Sequence, residues 1–138
     1  MAEIFIDAAG AIVGRVGTFA AKRALLGYTV KILNCEKAIM SGSKENVIDR
    51  YYQRRNKIGQ PQKGPFISRM PDRFVRRTIR GMLPYKRTKG SQAYKRIMCY
   101  LGVPEQFKDK QMQKVTGADA SKLKSLKCVT VEEVCKKI

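Results

Sequence analysis

The first 33 residues leave this chain little choice of fold. "EIFID" is a short apolar run of strand length, and "YTVKIL" is a second one. Between them stand glycines at Gly10, Gly14 and Gly17, and Val13, Val16, Ala20 and Ala24 recur at helical spacing, with Gly27 where a helix end favours glycine. The pattern predicts strand, helix over about residues 11–26, strand. Two strands joined through a helix lie parallel with a right-handed crossover, so an α/β fold around a mainly parallel sheet is expected.

The remaining signals extend this frame. "EKAIMSG" reads as a turn with a short extra strand, and Ser43 caps a helix over about residues 44–56, with Glu45 in its first turn. "IGQPQKGPF" is a loop, and Pro71 suits the first turn of a helix running to about Met82, ended by Pro84. A short helix near 91–95 leads into a strand at "RIMCYL". Residues 104–124 read only as turns. "LKCVTVEEVCKKI" closes with a short strand and a helix that Thr130 and Glu133 cap together. The expectation is one three-layer domain over residues 1–138, its sheet flanked by helices, with basic loops and a more irregular tail from about residue 103.

The glycine turn raises a functional question, because a strand, a glycine-rich turn and a helix start also begin nucleotide-binding loops. The spacing here is G-x3-G-x2-G, whereas the dinucleotide fingerprint is G-x-G-x-x-G. The Walker loop needs four residues before Gly-Lys-Ser/Thr, but three separate Gly10 from Gly14 and Arg15 follows. Glu36 does stand 22 residues after Gly14, about where a dinucleotide fold keeps its ribose-binding acid. A nucleotide-dependent enzyme built on residues 10–18 is therefore the alternative reading.

Composition weighs against catalysis. There is no histidine, acidic side chains number only 11, and no serine or cysteine sits in a nucleophile motif. Cys35, Cys99, Cys128 and Cys135 include no C-x-x-C pair, so reduced, buried thiols are expected rather than a zinc site or disulfide framework. No apolar run approaches the roughly 18 residues of a membrane span. "MAEIFID" has neither the basic nor the apolar region of a signal peptide, so a soluble cytosolic protein is expected.

Charge points elsewhere. The chain carries a net +18, and residues 50–96 alone hold 15 basic side chains against one acid. Such local self-repulsion calls for a polyanionic partner. In "DRFVRRTIRGML", Arg73, Arg76, Arg77 and Arg80 fall at i, i+3, i+4 and i+7, which puts them on one helical face, with Val75, Ile79 and Met82 left for a core. Asp72 cannot balance four guanidiniums. On the preceding helix Arg50, Arg54 and Lys57 form a second stripe, and Val47, Ile48 and Tyr51 supply its apolar side. Tyr51 and Tyr52 could stack on bases or pack in the core. Arginine grips phosphate through a planar fork, and both stripes read as nucleic-acid-facing. Charge does not decide between DNA and RNA.

"IRGMLPYKRTKGSQAYKRIMCYLG", residues 79–102, resembles ribosomal protein thirteen of the large subunit in its archaeal and eukaryotic form. "IDAAGAIVGRVGT" and "ILNCEKAIMSGSK" are similar to two earlier segments of that family, in the same order. The resemblance implies a structural component of the large ribosomal subunit that binds its rRNA from early in assembly and touches neighbouring ribosomal proteins. It implies a cytoplasmic location on the ribosome, no enzymatic activity, no cofactor and no free nucleotide. By this analogy Arg15, Lys44, Arg54, Arg73, Arg77, Arg80 and Lys86 are RNA contacts. The basic surface adds Arg50, Arg55, Lys57, Lys63, Arg69, Arg76, Arg87, Lys89, Lys95 and Arg96 as candidates. On this reading the glycines serve a tight turn and close helix–sheet packing, and Arg15 meets an RNA phosphate at the helix start.

Overall fold

In a computed structural model, which describes residues 2–138, β1 (Glu3–Asp7) and β2 (Thr29–Leu33) lie parallel and are joined through α1 (Val13–Leu25). β4 (Ile97–Cys99) adds to the far side of β2, also parallel, giving the order β1-β2-β4. Period-two alternation sorts the side chains of this sheet. Ile4, Val30 and Ile97 form one cross-strand row and Ile6, Ile32 and Cys99 the next, all facing the helices. Ile6, Ile32 and Ile97 are fully buried, and each such burial is worth about 1.5–3 kcal/mol.

The helical layer is built from α1, α3 (Pro71–Arg80) and α4 (Thr88–Lys95). α1 turns small residues inward, among them Val16, Ala20 and Ala24, so its neighbours approach closely. Gly17 marks the closest approach. A Cβ there would lie 3.0 Å from Met82 Sδ and 3.3 Å from Ile79 Cγ1. The close packing at Gly17 is therefore helix against helix, not helix against sheet. Gly10 does serve the tight turn, with φ at +68°. A Cβ on Gly14 would meet nothing, so packing makes no demand for glycine there.

The other face of the sheet is covered by a 3-10 turn, Glu105–Phe107, in the stretch read from sequence as turns. Phe107 lies 5.2 Å from the ring of Phe5 and 5.2 Å from that of Tyr100, and Leu33 completes the cluster. Lys31 sits above, 4.7 Å from the Phe107 centroid, and pairs with Glu3 at 2.8 Å. The hydrogen bond from Lys31 holds the Glu3 carboxyl below its ordinary range.

The tail returns to the body of the fold. β3 (Ile39–Ser41) pairs antiparallel with β5 (Cys128–Thr130), and α5 (Val131–Lys137) packs on α3 and on α2 (Lys44–Asn56). The amide of Asn46 donates to Ser43 Oγ as expected, and that of Glu133 to Thr130 Oγ1, while the Glu133 carboxylate pairs with Lys44 instead of closing a capping box. α3 stops at Arg80, two residues short of the sequence expectation, and Met82 packs from the turn beyond it.

Candidate nucleic-acid interface

The strongest sequence signal lies on α3. Phe74, Val75 and Ile79 are buried, which turns the guanidinium-bearing side outward. Arg73 is exposed and Arg77 and Arg80 are half-buried. Arg77 donates to the main-chain oxygen of Phe66, fixing one side of its fork and leaving other N–H groups outward. Arg80 stacks over Tyr85 with 4.9 Å to the ring centroid.

Charge balance within the fold is lopsided. The ion pairs among the described residues are Lys31–Glu3, Lys44–Glu133, Lys108–Glu105 and Lys136–Glu132. None of the 15 cations of residues 50–96 takes part in one. Asp72, the one acid of that stretch, has Oδ1 buried without a hydrogen-bond partner.

The second stripe joins the first. Val47 anchors α2 in the core, and Tyr51 sets its ring edge against Phe74 at 4.9 Å. Arg54 lies over Tyr51 at 5.6 Å, and it lines with Arg77 a cavity of about 300 Å³ between the two helices. Arg50 is exposed on the same helix, and Lys57, exposed at its C-cap, lies near the Tyr52 ring. Lys63, Lys86, Arg87, Lys89 and Lys95 are exposed as well.

Beyond Arg77, six further candidates are engaged inside the chain. Arg76 donates from Nε to the Ile97 oxygen at 2.9 Å and lies over Tyr94. Its place in the 3.6-residue pattern put it with Arg73, Arg77 and Arg80, but α4 and β4 hold its head group. Arg96 donates to Ala24 oxygen at 3.0 Å, Arg69 to Ile138 oxygen at 3.1 Å, and Arg55 to Ile67 oxygen. Lys44 pairs with Glu133 at 3.9 Å. Arg15 reaches the main-chain oxygen of Gly117.

The glycine turn is closed over by the chain itself. Ile12 N–H donates to Ala118 oxygen, Gly10 N–H to Lys37 oxygen, and Ala11 bridges to Asp119. Asp7 accepts from Ala9 N–H and Asn34 Nδ2. Glu36 accepts from the Gly102 amide at 3.0 Å, a structural use for the acid that stood at ribose-binding distance. Three of the four thiols are buried, and Cys128 is exposed, contrary to the expectation for all four. Contact with Cys35, then burial, hold the Cys99 thiol well above its usual range, and burial pushes Cys135 up to about 11. Among the described residues no cluster of metal-ligating side chains occurs, and no helix is long and apolar enough to cross a membrane.

Sequence reasoning missed the apolar groups set among these cations. Phe66 is 66% exposed and Ile58 55%, both on the loop between α2 and α3. Thr78 and Gly81 line the cavity. A Pro-Phe pair inside a polar loop was the available hint for Phe66; nothing in the local pattern marks Thr78 or Gly81.

Residues 2–106 match the family model for ribosomal protein L13. The chain belongs to the ribosomal protein L13 family. A large ribosomal subunit protein uL13 of Methanococcoides burtonii is 42% identical over 133 residues, 96% of this chain and 95% of that protein. The uL13 of Archaeoglobus fulgidus is 41% identical, covering 94% and 83%. That of Methanococcus maripaludis reaches 47% over 74% of this chain and 77% of its own length. The L13 match takes in β1 to β4 and all four helices between them, the stretch that holds the 15 cations and the α2–α3 cavity.

Proposed function

We propose that this chain is a structural constituent of the large ribosomal subunit that binds large-subunit rRNA through the outer side of α2, α3 and the basic turn after them. The observation that carries this is the absence, among the described residues, of any ion pair to the 15 cations of residues 50–96. Fifteen cations gathered without internal counter-charge need phosphates to relieve them. Arg50, Arg54, Lys57, Arg73, Arg77, Arg80, Lys86, Arg87 and Lys89 form the binding set. Lys63 and Lys95 flank it. Arg55, Arg69, Arg76 and Arg96 shape the fold beneath, while Arg15 and Lys44 lie outside the α2–α3 face. Family membership supports RNA over DNA and a place on the cytoplasmic ribosome beside other ribosomal proteins. Binding early in assembly belongs to the same reading.

The test is binding of the intact protein to in vitro transcribed large-subunit rRNA, with Arg50, Arg73 and Arg80 changed together to glutamine. With roughly six to ten phosphates neutralised, affinity should fall about 10³–10⁵-fold between 50 and 200 mM salt if the double-stranded slope applies. The triple variant should bind markedly more weakly, with a shallower salt dependence and an unchanged melting curve. Equal affinity of variant and wild type would refute the proposed surface.

A further inference from the structure

The cavity between α2 and α3 has a chemistry that the cationic surface alone does not explain. Its lining is largely apolar, with Tyr51 and Phe74 meeting edge to face beside Pro65 and Ile67. Two cations line it as well: Arg54, 5.6 Å from the Tyr51 ring centroid, and Arg77, held in place by the Phe66 oxygen. No carboxylate lines it, and its volume of about 300 Å³ is at the lower end for small-molecule sites. The occupant must be flat and apolar in its body and must arrive attached to negative charge.

We infer that this cavity receives one unpaired base of the RNA, with the phosphates flanking it on Arg54 and Arg77. An unstacked nucleotide offers both parts at once, and single-stranded bases are commonly held against aromatic rings and guanidinium planes. The inference rests on the RNA-binding reading above and names what that surface takes beyond phosphate. Thr78 Oγ1 donates to Phe74 oxygen at 3.1 Å, which leaves its lone pairs to accept from an exocyclic amine of the base.

The test fills the cavity without removing a cation. Gly81 lines it with ordinary helical φ of −63°, and a Cβ there would meet only the Thr78 oxygen, at 3.5 Å. Gly81→Leu therefore keeps the charge and occupies part of the space; Thr78→Leu is the second variant should the first fail to fold. Each is titrated, with a melting curve as control, against transcribed large-subunit rRNA and against a fully paired RNA duplex. The expected result is an affinity for the rRNA about 5- to 150-fold weaker, the range for losing one stacked base, with an unchanged salt slope and unchanged duplex binding. Wild-type affinity of the folded variant for the rRNA overturns the base pocket, and if Arg73→Gln still weakens binding, the cationic surface stands without it. Equal losses on rRNA and duplex overturn it too, as does normal rRNA binding with failed incorporation into subunits, which would make the occupant a protein. A wild-type chain that binds neither RNA refutes the surface reading itself.

Discussion

The guanidinium of Arg76 lies 4.1 Å from the centre of the Tyr94 ring while its Nε donates to the Ile97 oxygen at 2.9 Å and a terminal nitrogen to Tyr94 oxygen at 3.3 Å. One side chain thus ties α3 to the end of α4 and the start of β4. Arg73, three residues earlier on the same helix, is exposed. The same residue type serves the fold at one position and the surface at the other.

Arg76→Gln should accordingly destabilise the protein by about 2–3 kcal/mol, since it strands two main-chain oxygens and removes a stacked cation. Arg73→Gln should stay within about 0.5 kcal/mol of wild type. Urea unfolding of the two variants checks both values. Equal stabilities would mean that the Arg76 contacts contribute nothing.

In RNA binding the ranking should reverse. Arg73→Gln should reduce the slope of log affinity against log salt by about 1, the contribution of one phosphate contact. Arg76→Gln, measured where it is fully folded, should leave that slope unchanged. Filter binding across a salt series reads both.

Two glycines should respond oppositely to alanine. Gly14 lies in the first turn of α1 with open space where a Cβ would go, so Gly14→Ala should stabilise by about 0.5–1 kcal/mol. Gly90 in α4 abuts Pro84, whose carbonyl group a Cβ would overlap, so Gly90→Ala should cost about 3 kcal/mol. Thermal melts decide. Loss of stability at Gly14 would contradict the open space seen beside it.

The thiols should separate by access. Cys128 is exposed and Cys35, Cys99 and Cys135 are buried, so native protein should react rapidly at one thiol per chain and denatured protein at four. Burial raises Cys135 in the folded state to about 11 from an ordinary 9. Its protonated form therefore favours folding below the ordinary value, and that contribution is lost as pH rises through about 11. Between those values wild type should lose stability more steeply than Cys135→Ala. Parallel slopes in urea unfolding would contradict this.

How much of this was legible depended on the reach of each signal. The β1–α1–β2 unit, the caps at Ser43 and Thr130 and the outward placement of Arg73, Arg77 and Arg80 all follow from local spacing. Arg76 was misgrouped because its partners, Tyr94 and Ile97, come from elements that spacing within α3 cannot reveal. Gly17 was assigned to helix–sheet contact because its true neighbours, Ile79 and Met82, arrive from α3 and the turn beyond it. Phe107 lay in a stretch read only as turns, and only the second face of the finished sheet explains its burial. The α2–α3 cavity was invisible for the same reason: the two stripes read as one basic surface, and only the meeting of Tyr51 with Phe74 opens a cavity between Arg54 and Arg77.

The central claim is that this chain is an integral, RNA-bound part of the large subunit. Sedimentation of native extract on a high-salt gradient, with the protein followed by mass spectrometry, tests it most directly. Co-migration with the large subunit after the salt wash is the predicted result. Release of the protein to the top of the gradient, with subunits intact, would contradict it.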